Sequence, residues 1–278
     1  MIAVAAGGRA EVVGVLRLGS ATERETSRLE TWLHWCRLRP TRWSRRGAFR
    51  FTYANPCEFE AIYDNLFGDQ EYRFAATSDQ PFILDCGAHI GVSVLYFKSL
   101  YPRARIVAFE PNPGVFALLR ENVRQNLLRD VSLVNAAVAD AAGWIDFYAE
   151  RRSPREWTWG GAGVPNRWLE ATASQTIQVP TVRLADYVDR PVDLLKLDVE
   201  GMEELALRGG EGVLDQVAEI VMEFHGSSTN VRNSLERTLD LLARHGFTSH
   251  LKQGETVVTE AEIERTDPFW LMIRAHRA

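Results

Sequence analysis

From residue 82 onward the chain alternates short apolar runs with amphipathic stretches, which predicts strands and helices packed in layers. Phe82-Ile83-Leu84 reads as a short buried strand ending on Asp85, with Gly87 and Gly91 bracketing the turn beyond it. The turn opens a helix from Val92 to Leu100 whose Val94, Leu95 and Phe97 face back onto the sheet. Residues 105–109 form a second strand with Glu110 at its carboxyl tip. A helix over 113–127 follows, with Pro111 and Pro113 near its start, where proline is tolerated. The third strand and its exit span 131–138, and 144–148 adds a short further strand. Strands resume at 178–182 and, after a helical turn at 184–188, at 192–197, which runs into Asp198-Val199-Glu200-Gly201. A helix over 202–208 and a strand over 219–224 ending at His225 continue the rhythm. The helix over 231–245 carries Leu235, Leu239 and Leu242 on one face and is capped by Gly246. Residues 247–251 and 269–275 close the sheet.

Two stretches depart from this rhythm. Residues 1–67 read as an N-terminal extension, mainly helical, with a helix over 22–39, a short strand around 12–16, a strand over 49–53 and a helix over 58–66. Six arginines between Arg37 and Arg50 read as a solvated face pairing with the acidic remainder. Residues 150–178 hold Trp157, Trp159 and Trp168 with Gly160, Gly161 and Gly163, and read as a lid-like insertion over an acceptor. The main domain is therefore expected over 68–278.

The glycine turn is the candidate ligand site. A turn this tight needs glycine where no Cβ is tolerated, so that a ligand approaches bare backbone. Glu110 suits the paired hydroxyls of a ribose. Dinucleotide sites ask for Gly-x-Gly-x-x-Gly with a pyrophosphate on the helix N-terminus. The spacing here is Asp85-x-Gly87-x-x-x-Gly91. A carboxylate at that strand tip repels pyrophosphate and attracts an ammonium or sulfonium, the charges of S-adenosylmethionine. An NAD-dependent dehydrogenase is disfavoured.

Bulk properties narrow the class. At 278 residues, 46% hydrophobic and 25% charged, the chain has the composition of a soluble globular protein able to bury a full core. A net charge of −5 favours neither nucleic acid nor anionic membrane as the main partner. No apolar run approaches the ~18 residues of a membrane span, and the opening stretch lacks the basic start of a signal peptide. The three cysteines Cys36, Cys57 and Cys86 are scattered, which suits a reducing compartment, so a cytoplasmic location is expected.

Three separated blocks carry a specific resemblance. Asp85-x-Gly87-Ala88-His89-x-Gly91, Phe109-Glu110-Pro111-Asn112 and Leu195-Lys196-Leu197-Asp198-Val199-Glu200-Gly201 resemble the FkbM family of S-adenosylmethionine-dependent methyltransferases. Asn135-Ala136-Ala137-Val138-Ala139-Asp140 and the strand end Glu223-Phe224-His225 are similar to that family too, over roughly 68–251. The resemblance implies a class I methyltransferase fold: an α/β, Rossmann-like, mostly parallel sheet in the order 3-2-1-4-5-7-6, strand 7 antiparallel, with helices on both faces. It further implies methylation of hydroxyl groups of natural products or sugars, with S-adenosylhomocysteine as product.

Roles follow from that resemblance together with the residues. Asp85, Gly87, Ala88, His89 and Gly91 are expected along the methionine half of the cofactor, and Glu110, Pro111 and Asn112 around the ribose. Asn135 and Ala137 fall where the adenine edge lies. Asp198 stands at the fourth strand tip, beside the transferring methyl. A hydroxyl acceptor must lose a proton, and His225 is the first choice as base because its ordinary pKa is nearest neutrality. Asp198 and Glu223 are the other catalytic candidates, and Asp198, Glu200 and Glu223 form a candidate oxygen set for a divalent cation. The expected partner is a small-molecule acceptor held beneath Trp157, Trp159 and Trp168. N-methylation, a non-catalytic cofactor-binding module and homo-oligomerisation stay open at this stage.

Overall fold

The structure, a computed structural model, describes residues 41–150 and 174–277. The helix expected over 22–39, the strand around 12–16 and the three lid tryptophans Trp157, Trp159 and Trp168 lie outside the described residues. The arginine-rich stretch is a strand: β1 (Arg42–Arg46) pairs antiparallel with β2 (Phe49–Tyr53). Next, α1 (Pro56–Tyr63) starts at Asn55, whose side chain accepts hydrogen bonds from the Cys57 and Glu58 amides. The expected helix over 58–66 thus begins earlier, and its end widens into a π turn over Asp64–Gly68.

The alternating region then delivers β3 (Phe82–Cys86), α2 (Val92–Leu100), β4 (Arg105–Phe109), α3 (Pro113–Gln125), β5 (Val131–Val134), β6 (Ala137–Val138), β7 (Gly143–Glu150) and β8 (Ser174–Val182). The remainder is β9 (Val192–Leu197), α4 (Glu203–Gly209), β10 (Val217–Gly226), α5 (Leu235–Arg244), β11 (Phe247–Gln253), β12 (Thr256–Val258) and β13 (Phe269–Arg277). The large sheet runs β5-β4-β3-β9-β10-β13-β11-β12. Strands β5 through β10 of that order are parallel, and β13 is antiparallel to both of its neighbours. In the numbering of the expected fold this is 3-2-1-4-5-7-6, with β12 added as a hairpin edge beside β11. A separate three-stranded sheet, β6-β8-β7, collects the remaining strands.

The sheet centre is apolar because helices cover both of its faces. Ile83, Leu194, Leu197, Ile220 and Phe224 are all fully buried. Helix α2 is buried along nearly its whole length, since an aromatic layer from the N-terminal segment packs on its outer side. Tyr53 stacks on Phe59 at 4.4 Å, Tyr63 on Phe67 at 4.5 Å, and Phe67 meets Tyr96 of α2 edge-on at 5.4 Å. Arg39–Ala278 accordingly forms one compact unit. The boundary expected between 67 and 68 falls inside it, because these rings are part of the core.

Two polar staples fix the site's surroundings. Asn122 of α3 is fully buried. Its Nδ2 donates to the Thr52 carbonyl at 2.9 Å and the Ile90 carbonyl at 2.7 Å, tying the hairpin to the glycine turn. Helix α5 starts four residues later than its periodicity suggests because Asn233 is engaged elsewhere, donating to the His225 carbonyl and the Glu203 carboxylate. Ser234 takes the N-cap instead.

Candidate functional site

The site lies where the sheet changes direction, between the carboxyl ends of β3 and β9, the place where open α/β sheets bind ligands. A cleft of about 940 Å³ opens there, lined among others by Gly87, Ala88, His89, Glu110, Asn112, Asp198, Glu200 and Glu223. A smaller apolar hollow of about 360 Å³ adjoins it, sharing Gly87, Phe147 and Asp198 and walled by Pro111, Ala137 and Met202.

The glycine turn has a backbone only glycine supports. Gly87 and Gly91 have φ of +80° and +87°, and a Cβ on Gly87 would fall 1.8 Å from the Asp198 carbonyl oxygen. The two strand tips therefore touch backbone to backbone. His89, between the glycines, is also left-handed at φ +51°. Its amide donates to Glu110 Oε2 at 3.1 Å, while the Asn112 amide donates to Oε1 at 2.8 Å. Burial raises Glu110 to about 7 despite those two amides.

Beneath the turn lies a buried ion cluster. Lys196 Nζ stands 3.5 Å from Asp85 Oδ1 and 3.4 Å from Asp198 Oδ2, and donates to the Gly87 carbonyl at 2.7 Å. Burial works against its charge, yet Asp198 and Asp85 raise its pKa above the usual lysine value. Ser93 Oγ donates to Asp85 Oδ2 at 2.6 Å. Asp85 is fully buried, which corrects the expectation that it touches the cofactor: it anchors the lysine that shapes the turn. Asn135 is likewise a brace, its Nδ2 donating to the Glu110 and Pro111 carbonyls at 2.8 and 3.1 Å.

The acceptor side is acidic. Asp198, Glu200 and Glu223 line the cleft, joined by Glu71 and Tyr72 from the connector ahead of β3. Burial, with Glu223 and Asp198 nearby, raises Glu71 to about 7. Burial and like charges raise Glu200 to about 8. His225 is enclosed by carboxylates: Nδ1 is 3.1 Å from Glu203 Oε1, and Nε2 is 3.5 Å from Glu223 and 3.7 Å from Glu200. Burial alone would lower its pKa, but Glu200, Glu203 and Glu223 together hold it well above the ordinary imidazole value. Both ring nitrogens of His225 thus face carboxylates, Glu203 on the Nδ1 side and Glu223 and Glu200 on the Nε2 side. Among the described residues, donor atoms of Asp198, Glu200 and His225 come within 4.8 Å of one another, so a cation set would include His225 where Glu223 was expected.

The sequence reading missed Glu58, Glu71, Tyr72, Phe147 and Glu203. Glu203 had a signal, as an acid in the first turn of α4 just beyond the Asp-Val-Glu-Gly block. Glu58 and Glu71 had none, because packing of distant segments brings Glu58 against His89 and Glu71 to the cleft.

A glycine turn after the first parallel strand, an acid on the second and acids on the fourth define a cofactor site of the class I methyltransferase type. The Methyltransferase FkbM domain family matches residues 85–249, and the chain belongs to that family of S-adenosylmethionine-dependent methyltransferases. It is 32% identical over 222 residues to methyltransferase sdnD of Sordaria araneosa, covering 69% of this chain and 85% of that protein. It is 29% identical over 225 residues to 31-O-demethyl-FK506 methyltransferase FkbM of Streptomyces tacrolimicus, covering 70% and 84%. The match to 2-O-methyltransferase NoeI of Sinorhizobium fredii is 29% over 186 residues, covering 63% and 76%.

Proposed function

We propose that the chain methylates a hydroxyl oxygen of a small natural product or sugar-containing metabolite. The carrying observation is the row of carboxylates Asp198, Glu200 and Glu223 at the tips of β9 and β10, directly beside the glycine turn. One relative is named a 2-O-methyltransferase and another a 31-O-demethyl-FK506 methyltransferase, which supports oxygen as the acceptor atom.

The residues present fit S-adenosylmethionine. Both oxygens of Glu110 sit at the cleft wall, oriented by amides, as a ribose diol requires. The adjoining hollow, with Ala137, Pro111 and Phe147 in its walls, suits a flat purine. Gly87, Ala88 and His89 present backbone to the methionine portion. When bound, the cofactor supplies an electrophilic methyl group on a sulfonium. The chain's own work is to position the acceptor oxygen in line with that carbon and to take its proton. Asp198 orients the acceptor and the Glu223 carboxylate takes the proton, with His225 Nε2 3.5 Å from Glu223.

The test is methyl transfer from labelled S-adenosylmethionine to paired acceptors, hydroxylated natural products and their amine analogues, read by mass spectrometry. Labelled ether products are expected. Labelling of amines alone would replace the O-methyl reading with N-methylation, and cofactor binding without turnover on any acceptor would leave a binding module.

A further inference from the structure

We propose that Asp198, Glu200 and His225 form a divalent-cation site at the acceptor end of the cleft. The inference rests on the O-methyltransferase reading for its chemical purpose, and on the geometry for its existence.

Three residues from two adjacent strand ends each offer one donor atom to the same group. Those atoms lie within 4.8 Å of one another, close enough to share one ion at coordination distances of about 2.0–2.4 Å. The histidine is built for the task. Its side chain is nine-tenths buried, and Nδ1 is fixed by fully buried Glu203. Glu203 is itself held by the Gly201 amide at 3.0 Å and by Asn233 Nδ2. A carboxylate behind one ring nitrogen is how proteins aim the other nitrogen at a metal.

The Nε2 side faces two acids of the cleft. Its nearest carboxylates, Glu223 and Glu200, stand at 3.5 and 3.7 Å, beyond the 2.7–3.2 Å range of an N–H···O bond. The separation from Glu200 is one that two ligands of a shared ion can have. Lys196 is shared between Asp198, Asp85 and the Gly87 carbonyl, so it offsets only part of the group's negative charge.

An imidazole with two carboxylates suits a divalent ion that accepts mixed nitrogen and oxygen donors, such as manganese, iron or magnesium. Asp198 and Glu200 also line the cleft, so an acceptor hydroxyl can reach the same ion. Coordination would acidify that hydroxyl. Its proton passes to Glu223, which stays outside the ligand set. The oxygen lone pair then forms the O–CH₃ bond as the C–S bond breaks, with its electron pair going to sulfur.

The deciding experiment titrates manganese(II) chloride into chelator-stripped protein, following the free-ion signal by electron paramagnetic resonance. S-adenosylhomocysteine binding is measured calorimetrically on the same samples. About one bound ion per chain is expected, weakened at least about tenfold in Asp198→Asn and His225→Ala and about tenfold in Glu203→Gln. Thermal unfolding identifies any variant that fails to fold, and the wild-type titration stands by itself. No binding by wild type at about 1 mM, or binding unchanged in the folded ligand variants, overturns the site. S-adenosylhomocysteine binding without manganese binding sinks the cation site and spares the methyltransferase reading; loss of both sinks the two together.

Discussion

The Lys196 ammonium lies 3.5 Å from the Asp85 carboxylate, and neither side chain is more than 2% exposed. The pair joins the first and fourth parallel strands directly below the glycine turn, and the same ammonium holds the Gly87 carbonyl. Two sequence blocks separated by more than a hundred residues are thereby locked into one cofactor floor. Removing one partner strands a buried charge. Lys196→Met should destabilise the protein by about 3–5 kcal/mol in urea unfolding. Adding Asp85→Asn should cost less than the two single changes summed, because the charge that needed a partner is gone. Strict additivity would show that the two groups do not act as a pair.

Glu110 provides a pH-dependent reading of the ribose contact. Burial raises its carboxyl from 4.5 to about 7 in the ligand-free protein. The folded state therefore binds this proton more tightly than the unfolded chain. Its contribution to stability is greatest below pH 4.5 and is lost as pH rises through about 7, by up to about 3 kcal/mol. Glu110→Gln should thus be more stable than wild type at pH 8 without ligand. The same variant should bind S-adenosylhomocysteine about 10- to 100-fold more weakly at that pH, having lost a charged acceptor. Calorimetry across pH 6–8 should show affinity rising with pH in wild type and flat in the variant. A flat wild-type profile would remove the carboxylate from the ribose site.

Gly87 tests how closely the strand tips meet. Gly87→Ala would drive a Cβ to 1.8 Å from the Asp198 carbonyl oxygen, at φ +80°. Backbone cannot give way as a flexible side chain does, so a marked loss of both stability and S-adenosylhomocysteine affinity is expected. Gly212→Ala is the control, because nothing lies within 4 Å of its added Cβ. It should be neutral or slightly stabilising. A Gly87 variant with wild-type melting and binding would show that β3 and β9 do not meet in this way.

What could be read from the sequence follows from where the forces are local. Strand β4 reads correctly because burial on both faces demands a continuous apolar run, and Gly87 and Gly91 because a left-handed turn demands glycine. Strand β1 was not legible, since an arginine-bearing hairpin with little buried surface has the same pattern as a solvated run. Asp85 could be found but not interpreted: its neighbours Ser93 and Lys196 decide that it faces inward. His225 shows the same limit more sharply. The residue type pointed to the right place, while its hydrogen-bond partner Glu203 arrives from helix α4. Glu71 carries no periodic signal, because an irregular connector delivers it.

The final prediction concerns Glu58, which extends the cofactor site into the N-terminal segment. Its side chain is 4% exposed, and Oε1 lies 3.6 Å from His89 Nε2 in the glycine turn. Burial lowers the His89 pKa, against the pull of Glu58. The imidazole is therefore neutral at pH 7, and the nearby carboxylate favours the tautomer with hydrogen on Nε2. The same residue's amide holds Glu110, so the position of His89 affects the ribose contact. Glu58→Ala should weaken S-adenosylhomocysteine binding by about three- to tenfold, while Glu58→Gln, which keeps an acceptor oxygen, should recover most of it. Because Glu58 acts through His89, the change should nearly vanish when made on top of His89→Ala. Equal losses in both backgrounds would mean that Glu58 supports the segment's packing and has no part in holding the turn. A coupled loss with unchanged melting would make α1 a working wall of the cofactor cleft.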